Sequence, residues 1–168
     1  MIFENLPINV KESNVDLDLD ATDRRILTVL QREGRVTNAE LSERINLSPS
    51  ACHRRVQRLE EDGFIAGYVA LLDARRMGRP TTVFVEITLQ GQADEILDKF
   101  EREVARVPDI LECHLMAGSA DYLLKIIAQD TEDFARIHRQ YLARLPGVAQ
   151  MQSSFALRTV VKTTAMAV

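Results

Sequence analysis

The stretch TNAELSERINLSPSACHRRVQRL, residues 37–59, decides the fold of the first part of the chain. Asn46 stands between two helix-forming segments, where a tight turn needs a left-handed backbone that Asn tolerates better than most residues. Ser48 and Pro49 then suit the N-cap and the first position of a new helix. Thr37 has the same capping role for the helix before the turn. The stretch therefore predicts two short helices joined by a tight turn, which is a helix-turn-helix.

The second helix, predicted over 49–62, divides into an apolar side and a polar side. At about 100° per residue, Cys52, Val56 and Leu59 fall in one narrow stripe that must face the core. Cys52 is therefore predicted to be a packed core thiol. The adjacent His53 points about 100° away from it, so the two side chains cannot share a metal ion.

The polar side of this helix has the residue types that read DNA. Between positions 48 and 59 the chain has three Arg, one His and no acid, although residues 20–72 hold eight Arg against eight Asp or Glu. Arg can fork onto guanine and Gln onto adenine in the major groove, and the amides at a helix start suit a phosphate. Arg55, nearer the core edge, is predicted to contact a phosphate or to pair with an acid. The ordinary alternative is a solvated helix face, and a surface histidine is as good an interpretation of His53 as a DNA contact. The predicted DNA-binding residues are Ser48, Ser50, His53, Arg54, Arg55, Gln57 and Arg58.

The composition of the whole chain limits the class of protein. Its 168 residues, 46% hydrophobic and 27% charged, suit one soluble domain or two small ones. The net charge of −4 argues against indiscriminate nucleic-acid binding and leaves room for a local basic face. We find no apolar run of about 18 residues and no secretory signal, so no membrane span is expected. The two cysteines, Cys52 and Cys113, lie in segments of different type, which favours free thiols in a reducing cytoplasm.

Changes in sequence character predict the domain boundaries. Residues 1–16 show no period and are expected to form a flexible N-terminal arm. Residues 17–72 form the predicted helix-turn-helix domain, in which Asp20 caps the first helix and weak alternation over 64–72 suggests a short wing or hairpin. Residues 73–80, DARRMGRP, are polar, basic and broken by glycine and proline, which predicts a linker.

Residues 81–168 alternate between strand and helix patterns in the order β-α-β-β-α-β, a ferredoxin-like unit with both helices on one face of the sheet. The other face includes Phe84 and Met116, so we expect a homodimer formed through it. The expected fold class is α+β, with an N-terminal winged helix-turn-helix domain and a C-terminal ferredoxin-like βαββαβ domain. The strands are predicted over 81–89, 110–117, 121–128 and 150–161, and the helices over 92–106 and 131–145, the latter capped by Thr131.

Taken together, the two halves resemble the Lrp/AsnC family of feast/famine transcriptional regulators, and look most like its leucine-responsive branch. The family implies an N-terminal DNA-binding domain for double-stranded DNA and a C-terminal RAM-type domain that binds a small amino acid. It also implies homodimers, and often octamers of four dimers. The sequence shows no metal-ligand spacing and no phosphate-cradling glycine loop, so we expect no cofactor and no metal. Three positions depart from the family's usual residues: Asn46 replaces Gly, and Ala51 and His53 replace Pro and Leu, so the preferred DNA sequence cannot be borrowed from relatives. The matching motifs are DATDRRIL (20–27), NAELSERINLSPSACHRRV (38–56), RLEEDGFIAGYVALLD (58–73), VFVEITL (83–89), ECHLMAG (112–118) and DYLLK (121–125).

The segment GSADYLL, residues 118–124, looks like the effector loop of that family. A free amino acid needs a carboxylate for its ammonium group, backbone amides for its carboxylate and an apolar wall for its side chain. Asp121 is predicted to supply or orient the first and the glycine turn the second, with leucine, methionine or another branched-chain residue as the effector. The alternative is a hairpin turn in which Asp121 bonds its own backbone. The implied effector-binding residues are Met116, Ala117, Gly118, Ser119, Ala120, Asp121 and Tyr122, with Ser153 and Ser154 from a neighbouring subunit.

Two other classes of protein share this architecture. Haem-biosynthetic decarboxylases acting on sirohaem would need His or Arg groups lining a tetrapyrrole cleft, and His114 is the one histidine on the predicted sheet. A polar residue at the dimer face is the better interpretation of His114, and we predict no catalytic residues and no enzyme activity. An architectural DNA-compacting protein would differ in lacking an effector response.

Overall fold

A computed structural model describes residues 19–168, so the flexible arm predicted over 1–16 lies outside the described residues. The described chain divides into two compact units. The helical unit contains residues 19–71 together with Val161–Val168, and the sheet unit contains Leu72–Val160. No helix of the described chain is long and apolar enough to cross a membrane.

Three helices make up the helical unit: α1 (Ala21–Leu30), α2 (Asn38–Ile45) and α3 (Pro49–Glu61). Their predicted caps are confirmed, because the side chains of Asp20, Thr37 and Ser48 each accept a hydrogen bond from the first turn of the helix that follows. The apolar stripes of the three helices meet in one core, which removes them from water. Its buried residues are Ile26, Leu41, Ile45, Cys52 and Leu59.

The turn between α2 and α3 has the predicted left-handed geometry. Asn46 has φ 56° and ψ 51°, and no other non-glycine residue of the described chain has a positive φ. The amide of Leu47 donates to the carbonyl of Ser42 at 2.9 Å, which satisfies one of the last carbonyls of α2. The side chain of Arg25 donates to the carbonyl of Ile45. This turn fixes the direction in which α3 leaves α2.

The sheet unit has the predicted β-α-β-β-α-β order. A short 3-10 turn, Leu142–Arg144, follows the second helix. The elements are β1 (Thr81–Leu89), α4 (Asp94–Val104), β2 (Ile110–Leu115), β3 (Tyr122–Ala128), α5 (Thr131–Gln140) and β4 (Val148–Phe155). All pairs of neighbouring strands are antiparallel, in the order β2-β3-β1-β4, which confirms the ferredoxin-like fold class.

One face of the sheet packs under the two helices. On β1 the alternate residues Val83, Val85 and Ile87 are fully buried, as strand alternation requires. Phe100 from α4 packs on Tyr122 from β3 with ring centroids 4.6 Å apart. The opposite face, which we call the free sheet face, includes Phe84, Glu86, Thr88, Lys125, Gln150 and Gln152 by the register of the strands.

The ends of several elements differ from the sequence prediction. The last strand ends at Phe155 rather than at residue 161, and α5 ends at Gln140 rather than at 145. Asp130, not Thr131, caps α5, because its backbone is extended and its carboxylate accepts from the amide of Asp133 at 2.8 Å. Residues 65–73 form no hydrogen-bonded strands, so the hairpin suggested over 64–72 is not formed.

The predicted linker, residues 73–80, is largely folded onto the sheet unit. The carboxylate of Asp73 accepts from the amides of Arg75 and Arg76, which closes a turn. The side chain of Arg79 pairs with the buried carboxylate of Asp109. The polar composition of the segment therefore reflects a capped turn and an ion pair.

The C-terminal tail, which the prediction places in the domain over 81–168, makes its contacts outside the sheet unit. Val161–Val168 groups with the helical unit. The side-chain amide of Gln31 donates to the carbonyl of Met166 at 2.7 Å and accepts from its backbone amide at 2.8 Å. This pair of hydrogen bonds ties the end of the chain to the residue that follows α1.

Candidate DNA-reading face and effector pocket

The polar side of α3 is exposed to solvent. Ser50, His53, Arg54 and Gln57 are exposed, while Cys52 and Leu59 on the opposite side have no exposed surface. The side chain of Arg54 makes no ion pair or hydrogen bond among the described residues. We call the exposed side of α3 the reading face. On this face the side chains of His53, Arg54 and Gln57 have no hydrogen-bond partner among the described residues.

The beginning of α3 provides a further polar site. The hydroxyl of Ser48 accepts from the amide of Ala51 and lies 3.3 Å from the hydroxyl of Ser50. The side chain of Asn38 donates to the carbonyl of Pro49 at 2.9 Å. The first turn of α3 contains no acidic residue. No acid of its own first turn therefore neutralises the positive end of the α3 dipole, which suits a phosphate.

Two of the predicted DNA-binding arginines are held by acids of α1. The side chain of Arg55 donates to Asp20 at 2.7 Å and to Asp23 at 2.8 Å, which confirms the acid-pairing interpretation of Arg55. Arg58 pairs with the other oxygen of the Asp23 carboxylate. The amide of Asp23, and then the guanidinium of Arg55, lower the pKa of Asp20 to about 2. Sequence periodicity did not predict the partner of Arg58, which lies 35 residues away along the chain.

The reading face and the paired arginines border one open groove. The groove has a volume of about 420 Å³. Arg54 and Gln57 of α3 line it together with Asp20, which precedes α1. The lining residues are Asp20, Arg54, Arg55, Gln57, Arg58 and Glu61. The groove is therefore lined by the hydrogen-bond donors of three arginines and one glutamine of α3.

In the sheet unit, Asp121 anchors the loop before β3. The amide of Leu89 donates to one carboxylate oxygen of Asp121 at 2.7 Å, and the side chain of Gln92 donates to the other at 2.9 Å. These bonds, that of Leu89 first, lower the pKa of the Asp121 carboxyl below its ordinary value. The ionised Asp121 carboxylate therefore stabilises the folded chain fully at a pH above the ordinary pKa of an aspartate. This stabilisation is lost as the pH falls through the lowered pKa of the folded state. Asp121 orients the loop and has both oxygens occupied, and its carboxylate bonds other segments rather than its own turn.

Tyr122, one of the predicted effector-binding residues, has its side chain on the helix-covered face of the sheet. Its side chain is 1% exposed, and its hydroxyl donates to Glu101 of α4 at 2.7 Å. Strand alternation explains this position, because Tyr122 shares the face of Leu124 and Ile126, which point into the core. The motif placed Tyr122 next to the loop in sequence, but its side chain lies on the helix-covered face.

A small pocket lies on the free sheet face beside the loop. It has a volume of about 230 Å³. Of the predicted effector residues, Ser119 and Ala120 line it, whereas Met116, Ala117 and Gly118 are exposed nearby, and Ser153 and Ser154 lie further along β4. The pocket-lining residues are Glu86, Thr88, Ser119, Ala120, Gln150 and Gln152.

Sequence reasoning missed four of these lining residues. Glu86 and Thr88 alternate with the buried residues of β1, and the register pairs Glu86 with Gln152 and Thr88 with Gln150. Polar residues at alternate positions of a strand were the available signal. The pairing of β1 with β4, more than 60 residues away along the chain, is what brings them together.

The histidine on the sheet itself, His114, is exposed to solvent. His114 is exposed on β2, with Glu112 at 3.4 Å, and Glu112 also accepts from Lys125 at 2.5 Å. His138 contacts the edge of Phe134 at a centroid distance of 6.3 Å. Within residues 19–168, we find no group of His, Cys, Asp and Glu arranged to hold a metal ion. The polar cluster on β2 therefore forms a surface network of charges.

Comparison with known proteins identifies both units. Residues 19–66 match the winged helix-turn-helix DNA-binding family, and residues 82–166 match the Lrp/AsnC ligand-binding domain. The leucine-responsive regulatory proteins of Escherichia coli K12 and Salmonella typhimurium are each 43% identical over 143 residues, covering 85% of this chain and 87% of theirs.

Solved structures agree with these matches. A transcriptional regulator of Neisseria meningitidis, in complex with L-methionine, has a TM-score of 0.84 and 38% identity, covering 88% of this chain and 96% of that one. An AsnC-family regulator of Agrobacterium tumefaciens has a TM-score of 0.84 and 33% identity over the same shares of the two chains. The protein belongs to the Lrp/AsnC family of transcriptional regulators, with a helix-turn-helix DNA-binding unit followed by a ligand-binding unit.

Proposed function

We propose that the reading face of α3 contacts base edges and phosphates of double-stranded DNA, and that an α-amino acid bound beside Glu86 controls this binding. The observation that carries the DNA half is the sorting of α3 into a buried apolar side and an exposed side that has forked donors and no acid between Ser50 and Arg58. Glu61, at the end of the helix, borders the same groove. Because the net charge of the chain is −4, affinity depends on this local surface rather than on bulk attraction. That dependence favours recognition of particular sequences.

The pocket beside the loop supports the effector half. Glu86 offers a carboxylate that has no hydrogen-bond partner among the described residues, which suits an ammonium group. The backbone amides of Ser119 and Ala120 also lack an acceptor there, which suits a carboxylate. The two groups lie on one pocket, so a zwitterion fits better than an amine or an acid alone. Asp121 has the supporting role of holding the loop.

The side chain of the effector is proposed to be apolar. The relatives at 43% identity are named leucine-responsive, and the Neisseria regulator was solved with L-methionine. The pocket of this chain is lined by polar residues apart from Ala120, so an apolar wall must come from a second copy. We therefore propose that the effector is leucine, another branched-chain amino acid or methionine, bound by a homodimer or a larger assembly such as an octamer. The protein is proposed to act in the cytoplasm and without catalysis.

Gel shifts with the protein's own upstream DNA test the reading face. Arg54→Ala is expected to weaken binding by at least about tenfold, because one base or phosphate contact is lost. Arg32→Ala is the matched control, since it removes the same charge from an exposed position of the helical unit outside α3. Equal affinities for the two variants would show that α3 does not read DNA.

Calorimetric titration with each of the twenty amino acids tests the effector site. We expect saturable heat for a subset of apolar amino acids and none for their N-acetyl derivatives, which lack the ammonium group. Glu86→Gln should weaken that binding at least about tenfold, while Glu132→Gln, an exposed carboxylate of the same unit, should not. If no amino acid gives heat or a thermal shift with the unaltered protein, the effector half is wrong. A gel shift that no amino acid alters would favour an architectural DNA-compacting protein.

A further inference from the structure

Asp23 is a buried carboxylate at the point where α1 meets α3. Its side chain has no exposed surface, although it lies in the first turn of a surface helix. One oxygen accepts from Arg55 and the other from Arg58, so both oxygens point to α3. A buried charge is retained where it is paired and hydrogen-bonded.

Arg55 and Arg58 have their side chains held by Asp23, whereas the side chain of Arg54, on the same helix, has no partner among the described residues. Arg58 is held by Asp23 through one terminal nitrogen, and its Nε lies 4.0 Å from the exposed carboxylate of Asp62, yet 48% of its side chain is exposed. A guanidinium has five donors in a planar fork, so a second edge of Arg58 remains available toward the groove. Arg55 is 32% exposed and bonds both Asp20 and Asp23.

We infer that Asp23 is a positioning residue for DNA recognition, which holds Arg58 in a fixed orientation so that its outer edge presents forked donors to a base. A flexible arginine can turn toward any nearby phosphate. An arginine that is fixed along one edge binds well only where the DNA presents two hydrogen-bond acceptors opposite its free edge. Asp23 therefore increases discrimination between DNA sequences more than it increases affinity. This inference rests on the proposal that α3 reads DNA.

The alternative is a structural role, in which Asp23 fixes α3 against α1 and affects DNA binding through folding. The two roles predict different measurements. Loss of folded protein weakens specific and non-specific binding by the same factor. Release of Arg58 weakens specific binding alone, and removal of a negative charge near the DNA slightly strengthens non-specific binding.

The test uses the full chain and two DNA probes: a duplex enriched from a randomised pool by the unaltered protein, and poly(dI-dC). Asp23→Asn keeps the shape of the side chain and removes its charge. The ratio of specific to non-specific affinity is expected to fall about tenfold, the scale of one forked base contact. The matched control is Asp62→Asn, since Asp62 is exposed and lies 4.0 Å from Arg58, and it should leave the ratio unchanged.

A double-mutant cycle identifies the arginine through which Asp23 acts. In an Arg58→Gln background, Asp23→Asn should change the ratio little further. In an Arg54→Gln background, it should still lower the ratio about tenfold. An equal fall in both backgrounds, or no fall with Asp23→Asn alone, would overturn the inference.

Arg58→Lys provides a second test if Asp23→Asn does not fold. Lysine keeps the positive charge but has no second edge for the DNA, so the ratio should fall while non-specific affinity is retained. A full ratio with Arg58→Lys contradicts the inference. The proposal on α3 itself fails in a different way, namely if Arg54→Ala binds the enriched duplex as the unaltered protein does.

Discussion

At the scale of single residues, Ser48 has two separable effects at the start of α3. Its hydroxyl accepts from the amide of Ala51, which caps the helix without adding a charge. A carboxylate at this position caps a helix as well and is favoured by the helix dipole. Such a carboxylate also puts a negative charge at the position where a DNA phosphate is expected to bind. Helix stability and DNA binding can therefore be changed independently here.

We predict opposite patterns for two substitutions of Ser48. Ser48→Ala should lower the free energy of unfolding by about 1 kcal/mol, the usual cost of a lost N-cap. Ser48→Asp should retain that free energy yet weaken DNA binding, because its carboxylate repels the backbone phosphate. Urea denaturation and gel shifts on the same preparations measure both quantities. Retained DNA binding in Ser48→Asp would show that the helix start does not meet the phosphate backbone.

At the scale of elements, the turn after α2 sets the angle between α2 and α3. Asn46 takes the left-handed conformation, and Leu47 returns a hydrogen bond to Ser42. A residue with a Cβ and no short polar side chain is disfavoured in this conformation. Asn46 thus tolerates this left-handed conformation, which glycine would adopt without strain.

Substitutions at Asn46 should follow this conformational preference. Asn46→Ala is expected to lower the free energy of unfolding by about 1 kcal/mol, because alanine is strained at positive φ. Asn46→Gly should stay within about 0.5 kcal/mol of the unaltered protein, since it relieves strain but is more flexible when unfolded. Thermal unfolding of both variants measures the difference. Equal losses would point to the Asn46 side chain rather than its backbone.

The sequence predicted the elements well because the signals for them are local. The caps of α1, α2 and α3 and the left-handed Asn46 follow from neighbouring residues. Strand alternation also contained the information that Tyr122 points into the core, and the motif resemblance obscured it. The end of β4 was predicted too late because residues 157–161 continue its composition beyond the last hydrogen bond to β1, which the amide of Ala156 donates to Thr82.

At the scale of the whole molecule, contacts between distant parts of the chain decide what sequence patterns cannot. Arg58 meets Asp23 across 35 residues, and Arg79 meets Asp109 across 30. The pocket of the sheet unit exists because the register sets Glu86 against Gln152. No local pattern specifies such partners, so the reading face could be predicted as a surface but the state of each of its arginines could not.

The ion pair of Arg79 should stabilise the beginning of the sheet unit. Asp109 is 6% exposed, and without Arg79 its nearest cation is Arg136 at 3.9 Å. Arg79→Ala is expected to lower the free energy of unfolding by about 2 kcal/mol, less than for a fully buried pair because Arg79 is 34% exposed. Arg76→Ala, an exposed arginine of the same turn, should change it by less than about 0.5 kcal/mol. Chemical denaturation of the two variants provides the comparison.

The division of α3 into two sides has a consequence for how this protein can diversify. The residues that pack the helix, Cys52 and Leu59 among them, are distinct from Ser50, His53, Arg54 and Gln57. Changes at those four exposed positions cost little stability, so target preference can drift between duplicated copies while the scaffold stays intact. Arg58 is less free to vary, because its replacement would leave a buried acid with one partner fewer. Selection on such copies would then change the four exposed residues and retain Arg58.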